Sequence, residues 1–152
     1  MQSEAVRAFW ASYVDATGEA GEPAAVYAFG DNAELAEELV RLVLSGRKTA
    51  TAELVAQFAA DGEPLPQVAD RCVVTDAAGV PRAVLRTTEV RVGPLASVEP
   101  AFAWDEGEGD RTVESWRGDH ERYFRRSCAK LGIDFSGELE VVFERFEKVW
   151  PA

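Results

Sequence analysis

Lys48, Thr49 and Thr51 follow directly on Gly46 and Arg47, and far downstream Asp105, Glu106, Glu108 and Asp110 crowd into one short stretch. A lysine taken out of water loses its proton more readily and can act as a base. A base beside a threonine hydroxyl makes a nucleophile. A carboxylate with a raised pKa can then donate or accept the remaining proton. These are the parts of a metal-free hydrolytic or nucleotide-recognising site. On a straight strand Lys48 and Thr51 would face opposite sides, so they converge only at a bend, which Gly46 offers. The alternative is a solvated lysine beside a strand-forming threonine.

The acidic stretch has three readings. Its oxygens could bind a divalent ion, or one carboxylate could serve as acid and base. It could equally be a solvated loop whose charges complement the N-terminus of the next helix. Gly107 and Gly109 allow close approach of backbone to a ligand. His120 is the single histidine, which excludes zinc sites built on several imidazoles. Its place on an apolar helical stripe is that of a half-buried, hydrogen-bonded ring. The run Gly46-Arg47-Lys48-Thr49 is not a phosphate-binding P-loop: Arg41 stands where the earlier glycine belongs, and the helix precedes the loop instead of following it. Arg117, Arg122, Arg125, Arg126 and Lys130, interleaved with Tyr123 and Phe124, form either a phosphate and stacking surface or the exposed face of an amphipathic helix.

These residues must be positioned by a small set of elements. Val6, Phe9, Trp10 and Tyr13 mark a helix over residues 3–16, capped by Ser3 and ended by Gly18. Residues 24–29 read as a short strand. Asn32 or Asp31 caps a second helix carrying Leu35, Leu39, Leu42 and Val43, which Gly46 stops. Residues 53–60 offer one or two helical turns. Residues 71–75 and 80–92 form a hairpin about Asp76-Ala77-Ala78-Gly79, the long second arm requiring a curve or bulge. Residues 94–110 are expected to be irregular, with room for short turns. A helix over 112–131, with Asp110 as its cap, carries Trp116 and His120, and residues 139–150 close the chain as a strand. Helices and mostly hairpin-connected strands predict an α+β fold around a small curved sheet or barrel.

The chain has 152 residues and a net charge of −11, which excludes charge-driven binding to duplex DNA or to an anionic membrane. Cys72 and Cys128 lack metal-ligand spacing and a disulfide framework. No segment approaches the roughly 18 apolar residues of a membrane span. A cytoplasmic protein is expected.

Phe29-Gly30-Asp31, Gly46 to Thr51, Pro64-Leu65-Pro66, Glu106 to Asp110, and Trp116-Arg117-x-x-His120-x-x-Tyr123-Phe124 together resemble an ASCH-domain protein. The resemblance covers residues 25–152 and leaves 1–24 as a helical extension packed on the domain. It implies a PUA-like β-barrel of five to six strands flanked by helices, with a role in RNA metabolism. Smaller members deacetylate N4-acetylcytidine with a Lys, a Thr three residues later and a downstream Glu. By that resemblance Lys48, Thr51 and Glu108 are catalytic, with Glu106 as an equally acidic neighbour of Glu108. Arg47, Thr49, Glu106, Trp116, Arg117 and His120 would surround the substrate. No metal or cofactor is implied. The ligand would be a nucleoside or a short single-stranded RNA. The alternative within the family is an RNA-binding module or a ribonuclease, with Arg117, Arg125 and Arg126 on phosphates.

Overall fold

A computed structural model describes residues 2–152. Its centre is one five-stranded sheet built from β1 (Ala25–Ala28), β2 (Ala50–Leu54), β3 (Arg71–Thr75), β4 (Pro81–Pro94) and β5 (Glu140–Trp150), in the order β1-β3-β4-β5-β2. Every neighbouring pair is antiparallel except β1 with β3. The sheet curls into an open half-barrel. β1 and β2 are its two free edges, and the space between them stays unclosed by hydrogen bonds. The expected PUA-like α+β architecture is present, with five strands. The parallel β1–β3 pair departs from the hairpin expectation, because α2, β2 and α3 intervene and return the chain in the same direction.

The length of β4 is what makes the curl. It pairs with β3 at one end and with β5 along nearly all of its length, and its register with β5 shifts between Thr87 and Glu89. An irregularity of this kind bends a strand and increases its twist, as its length requires.

Helices cover both faces. α1 (Glu4–Thr17) lays Val6, Trp10 and Tyr13 on Val73 and Val84. α2 (Ala33–Leu44) lays Leu39, Val40 and Val43 on the opposite face, against Ala83, Leu85 and Phe146. Successive β4 residues therefore serve two cores, which explains why Ala83, Val84 and Leu85 are all buried. Ser3 caps α1 through Val6 N and Asn32 caps α2 through Leu35 N, each hydroxyl or amide oxygen satisfying an otherwise orphaned donor.

α3 (Val55–Ala60) continues directly from β2, so the helical turns begin two residues later than the expected 53. The segment expected to be irregular contains α4 (Pro100–Glu106). Pro100 supplies the preset φ of a first helical turn, Phe102 and Ala103 are buried, and Gly107 ends the helix at φ +72°. A third core joins α4 and α5 (Val113–Leu131) to β2 and β5 through Leu54, Phe102, Trp116, Phe124 and Phe143. Thr112, not Asp110, caps α5 by accepting from Ser115 N at 3.1 Å. Asp110 instead fixes Thr112, accepting from its N at 3.1 Å and its hydroxyl at 2.7 Å. Cys72 and Cys128 are buried free thiols. Among the described residues no helix is long and apolar enough to cross a membrane.

Candidate active site

Lys48 sits in the short connection between α2 and β2. Gly46, at φ +82°, turns the chain off the helix. The carbonyl of Leu42 accepts from both Arg47 N and Lys48 N, so the helix end itself directs the lysine inward. Its side chain is buried, and the ammonium donates to the Ala50 carbonyl at 2.7 Å, to Glu106 Oε2 at 2.5 Å and to Glu108 Oε2 at 2.7 Å. Three acceptors exhaust the three donors of an ammonium. Burial works against its charge, but Glu106 and then Glu108 outweigh that and hold Lys48 above the ordinary lysine range. The expectation of a lysine neutralised by desolvation is corrected here: two carboxylates in contact retain its proton.

The carboxylates are delivered by the end of α4. Glu106 is its last residue and Glu108 lies two further on, past Gly107. A Cβ at Gly107 would lie 2.3 Å from the Arg47 carbonyl oxygen, so only glycine lets the acidic loop pass this close to the lysine connection. Arg47 closes the same junction, donating to the carbonyls of Gly107 at 2.6 Å and Gly109 at 2.9 Å. Thr49 adds a further tie, its N–H donating to the Asp105 carbonyl at 2.7 Å.

Glu106 is fully buried and completely satisfied. Besides Lys48, its Oε1 accepts from Trp116 Nε1 at 3.1 Å and lies 3.3 Å from His120 Nε2. Burial opposes its ionisation, yet the charges of Lys48 and His120 keep it well below the usual carboxylate range. His120 stacks on Trp116 with ring centroids 4.0 Å apart. Burial disfavours its charge, but the Glu106 carboxylate overrides this and raises it above an ordinary histidine. Glu108 takes the opposite course. Burial and repulsion from Glu106 outweigh attraction to Lys48 and push it up to about 7. Two neighbouring carboxylates thus diverge, one permanently ionised and one poised to exchange a proton near neutrality. Such divergence marks groups suited to acid–base work.

Lys48, Thr51, Glu106, Glu108 and His120 line one cleft of about 1120 Å³, which opens between the free edges β1 and β2. Among the described residues the Thr51 hydroxyl has no hydrogen-bond partner. Arg47, Thr49, Trp116 and Arg117 do not line the cleft. The first three brace its acidic loop, and Arg117 donates to the Ala96 carbonyl at 2.9 Å on the far side of α5. The divalent-ion reading of the acidic stretch loses two ligands: Asp105 pairs with Arg145 at 3.0 Å and Asp110 with Thr112. Glu106, Glu108 and His120 do lie within 4.8 Å of one another, but the cation between the carboxylates is the Lys48 ammonium.

Further residues complete the cleft wall, and among them the sequence motifs single out neither Tyr27, Glu53 nor Glu144. Glu53 accepts the Tyr123 hydroxyl at 2.9 Å and Glu144 accepts the Thr87 hydroxyl at 2.7 Å; burial raises both carboxyls. Tyr27 of β1 and Phe29, immediately after that strand, form an aromatic wall, their rings 5.4 Å apart. Arg126 crosses from α5 to Asp31 at 2.7 Å at the rim. The alternation of β2 and β5 could have signalled Glu53 and Glu144, since each interrupts an apolar strand.

The fold recurs in solved structures. An ASCH domain from Lactobacillus crispatus JV V101 superimposes with a TM-score of 0.86 at 28% identity, over 97% of this chain and 96% of that one. A protein of Enterococcus faecalis V583 gives a TM-score of 0.88 at 31% identity, over 96% and 88%. No functionally curated protein matches the chain. The ASCH domain family model matches residues 25–150, and the chain belongs to the ASCH-domain family.

Proposed function

We propose that this protein is a metal-free amidohydrolase that removes the acyl group from the exocyclic amine of an N4-acylated cytidine or a closely related nucleoside. The observation that carries this reading is the buried Lys48–Glu106–Glu108 cluster opening onto a cleft that also holds the unpartnered Thr51 hydroxyl. The cleft is of the size that encloses a small organic ligand, and Tyr27, Phe29 and Tyr123 offer faces on which a base can stack.

In the proposed reaction Thr51 Oγ1 attacks the acyl carbonyl and its proton passes to the Glu108 carboxylate. The oxyanion that develops is stabilised by the Lys48 ammonium, a fixed charge in a site of low dielectric. Glu108 returns the proton to the exocyclic nitrogen as the C–N bond breaks. This frees the amine and leaves an acyl ester on Thr51. Water then attacks the ester with Glu108 as base, releasing the carboxylic acid and restoring the hydroxyl. Glu106 keeps Lys48 charged and holds both Lys48 and His120 in place throughout.

The alternative, an RNA-binding module or ribonuclease, has Arg122, Arg126 and Lys130 at the cleft rim in its favour. Against it, Arg126 is engaged by Asp31 and Arg125 lies over the Phe135 ring, and carboxylates outnumber cations along the cleft walls. A neutral nucleoside is the ligand such walls repel least.

Hydrolysis of N4-acetylcytidine by the wild type, beside Lys48→Ala, Thr51→Ala and Glu108→Ala, tests the reading. Each substitution is expected to lower kcat by about 10²-fold or more, the scale of losing positioned acid–base or oxyanion help. Wild-type inactivity together with steeply salt-dependent binding of an RNA oligonucleotide would replace it with the binding module.

A further inference from the structure

Glu144 is a buried carboxyl without an assigned task. It lies on β5 directly opposite Thr51 of β2. Side chains directly opposite on neighbouring strands share a face, with Cβ atoms about 5 Å apart. Both line the cleft, and so does Glu53, two residues along β2 on that same face. Thr87 Oγ1 donates to Glu144 Oε2 at 2.7 Å, and among the described residues that is the carboxyl's one hydrogen bond. No fully buried side-chain oxygen or nitrogen lacks a partner, so Oε1 must reach the open space of the cleft. Glu144 thus presents one aimed, unpaired acceptor beside the hydroxyl placed as the nucleophile.

That separation matches one secondary amide. The carbonyl carbon and the nitrogen of an amide are about 1.3 Å apart in one plane. With a nucleophile near 3 Å from the carbon and an acceptor about 2.9 Å from the nitrogen, the two protein groups must stand a few ångströms apart, the scale on which the side chains of a directly opposed pair such as Thr51 and Glu144 lie. The C=O and N–H of a trans amide point in opposite directions. An N–H directed to Glu144 on β5 therefore turns the carbonyl oxygen away from β5, toward the β2 side of the cleft, where Lys48 lies in the connection that leads into β2.

Building on the amidohydrolase reading, we propose that Glu144 is a positioning and specificity residue that accepts the N–H of the scissile amide, so that the site takes secondary amides of an aromatic amine and rejects tertiary amides and esters. Thr87 aims the carboxyl. Rejection follows because a substrate without the N–H leaves a desolvated acceptor unpaired.

The test uses the products as well as the reaction. Calorimetry on the wild type and on Glu144→Gln measures the affinity of cytidine, which keeps the exocyclic N–H, against N4,N4-dimethylcytidine, which lacks it. N4-acetylcytidine hydrolysis is followed in parallel. The wild type is expected to prefer cytidine by about tenfold or more, the effect of one hydrogen bond to a charged group. Glu144→Gln is expected to abolish that preference, since Thr87 can still donate to the amide oxygen while only N–H donors face the cleft. Thermal melting establishes that the variant folds. Should it not fold, Glu144→Asp replaces it, with an intermediate preference expected. Hydrolysis by the wild type with an unchanged preference in the variants would overturn the role of Glu144 and leave the activity standing. A Glu144-dependent preference without hydrolysis would support the amide N–H contact and remove the hydrolytic reading. Binding of neither ligand, with no hydrolysis, would overturn both.

Discussion

The Lys48 ammonium lies 2.5 Å from Glu106 Oε2, although 58 residues separate the two in the chain, and both side chains are about 1% exposed. A buried pair of this kind gives little net stability over an apolar pair, but removing one member leaves a charge with neither water nor a partner. Lys48→Met is therefore expected to destabilise the fold by about 3–5 kcal/mol, read by denaturant unfolding. The double variant Lys48→Met, Glu106→Gln should recover a substantial part of that loss. A single variant as stable as the wild type would show that the lysine charge is not needed to keep Glu106 ionised.

The junction beneath that pair depends on one glycine more than on its neighbours. Gly107→Ala combines a positive φ with a Cβ that would meet the Arg47 carbonyl, whereas Gly46→Ala meets nothing within 4 Å. Both incur the cost of a left-handed alanine, about 1 kcal/mol, but only Gly107→Ala forces backbone apart. Its melting temperature is expected to fall further than that of Gly46→Ala. Its hydrolytic rate should fall too, because Glu106 and Glu108 flank the displaced residue. Equal effects at the two glycines would contradict this account.

His120 is the chain's only histidine, so its imidazole gives one set of NMR signals. Glu106 raises its pKa above the ordinary value. The folded state then binds the proton more tightly than the unfolded chain. The resulting stability is fully present below about 6.5 and is lost as pH rises through the folded value. Titration should place the wild-type midpoint above that of Glu106→Gln. A midpoint unmoved by the substitution would assign the shift elsewhere.

Glu108 predicts the pH–rate profile of the proposed reaction. With its pKa pushed up to about 7 and its carboxylate needed to take the Thr51 proton, kcat/KM for N4-acetylcytidine should climb with pH through about 7 and level off above. The same climb is a loss of stability, because the folded state holds the Glu108 proton to higher pH than the unfolded chain does. Glu108→Gln should remove the limb along with most of the rate. A flat profile between pH 5 and 8 would exclude Glu108 as the base.

Local signals in the chain were enough to determine most elements and the parts list of the site. Ser3 and Asn32 as caps, the apolar stripes of α1, α2 and α5, and the β3–β4 turn are each decided by residues within a few positions of one another. The run from Gly46 to Thr51 and the acidic stretch after Trp104 stood out by type alone. What lay beyond reach was every property set by long-range contact. α4 carries no signal beyond a short turn in its own sequence, because the helix is only seven residues long and owes its formation to burying Phe102 and Ala103 rather than to propensity. The protonation of Lys48 could not be read either: desolvation alone argues for a neutral amine, and only the arrival of two carboxylates from the end of α4 reverses the sign. Glu53 and Glu144 gain their place in the site only because the curled sheet leaves β1 and β2 unpaired and turns that face into a cleft. A charge acquires its chemistry from its dielectric surroundings and its neighbours, and in this chain both are products of the tertiary fold.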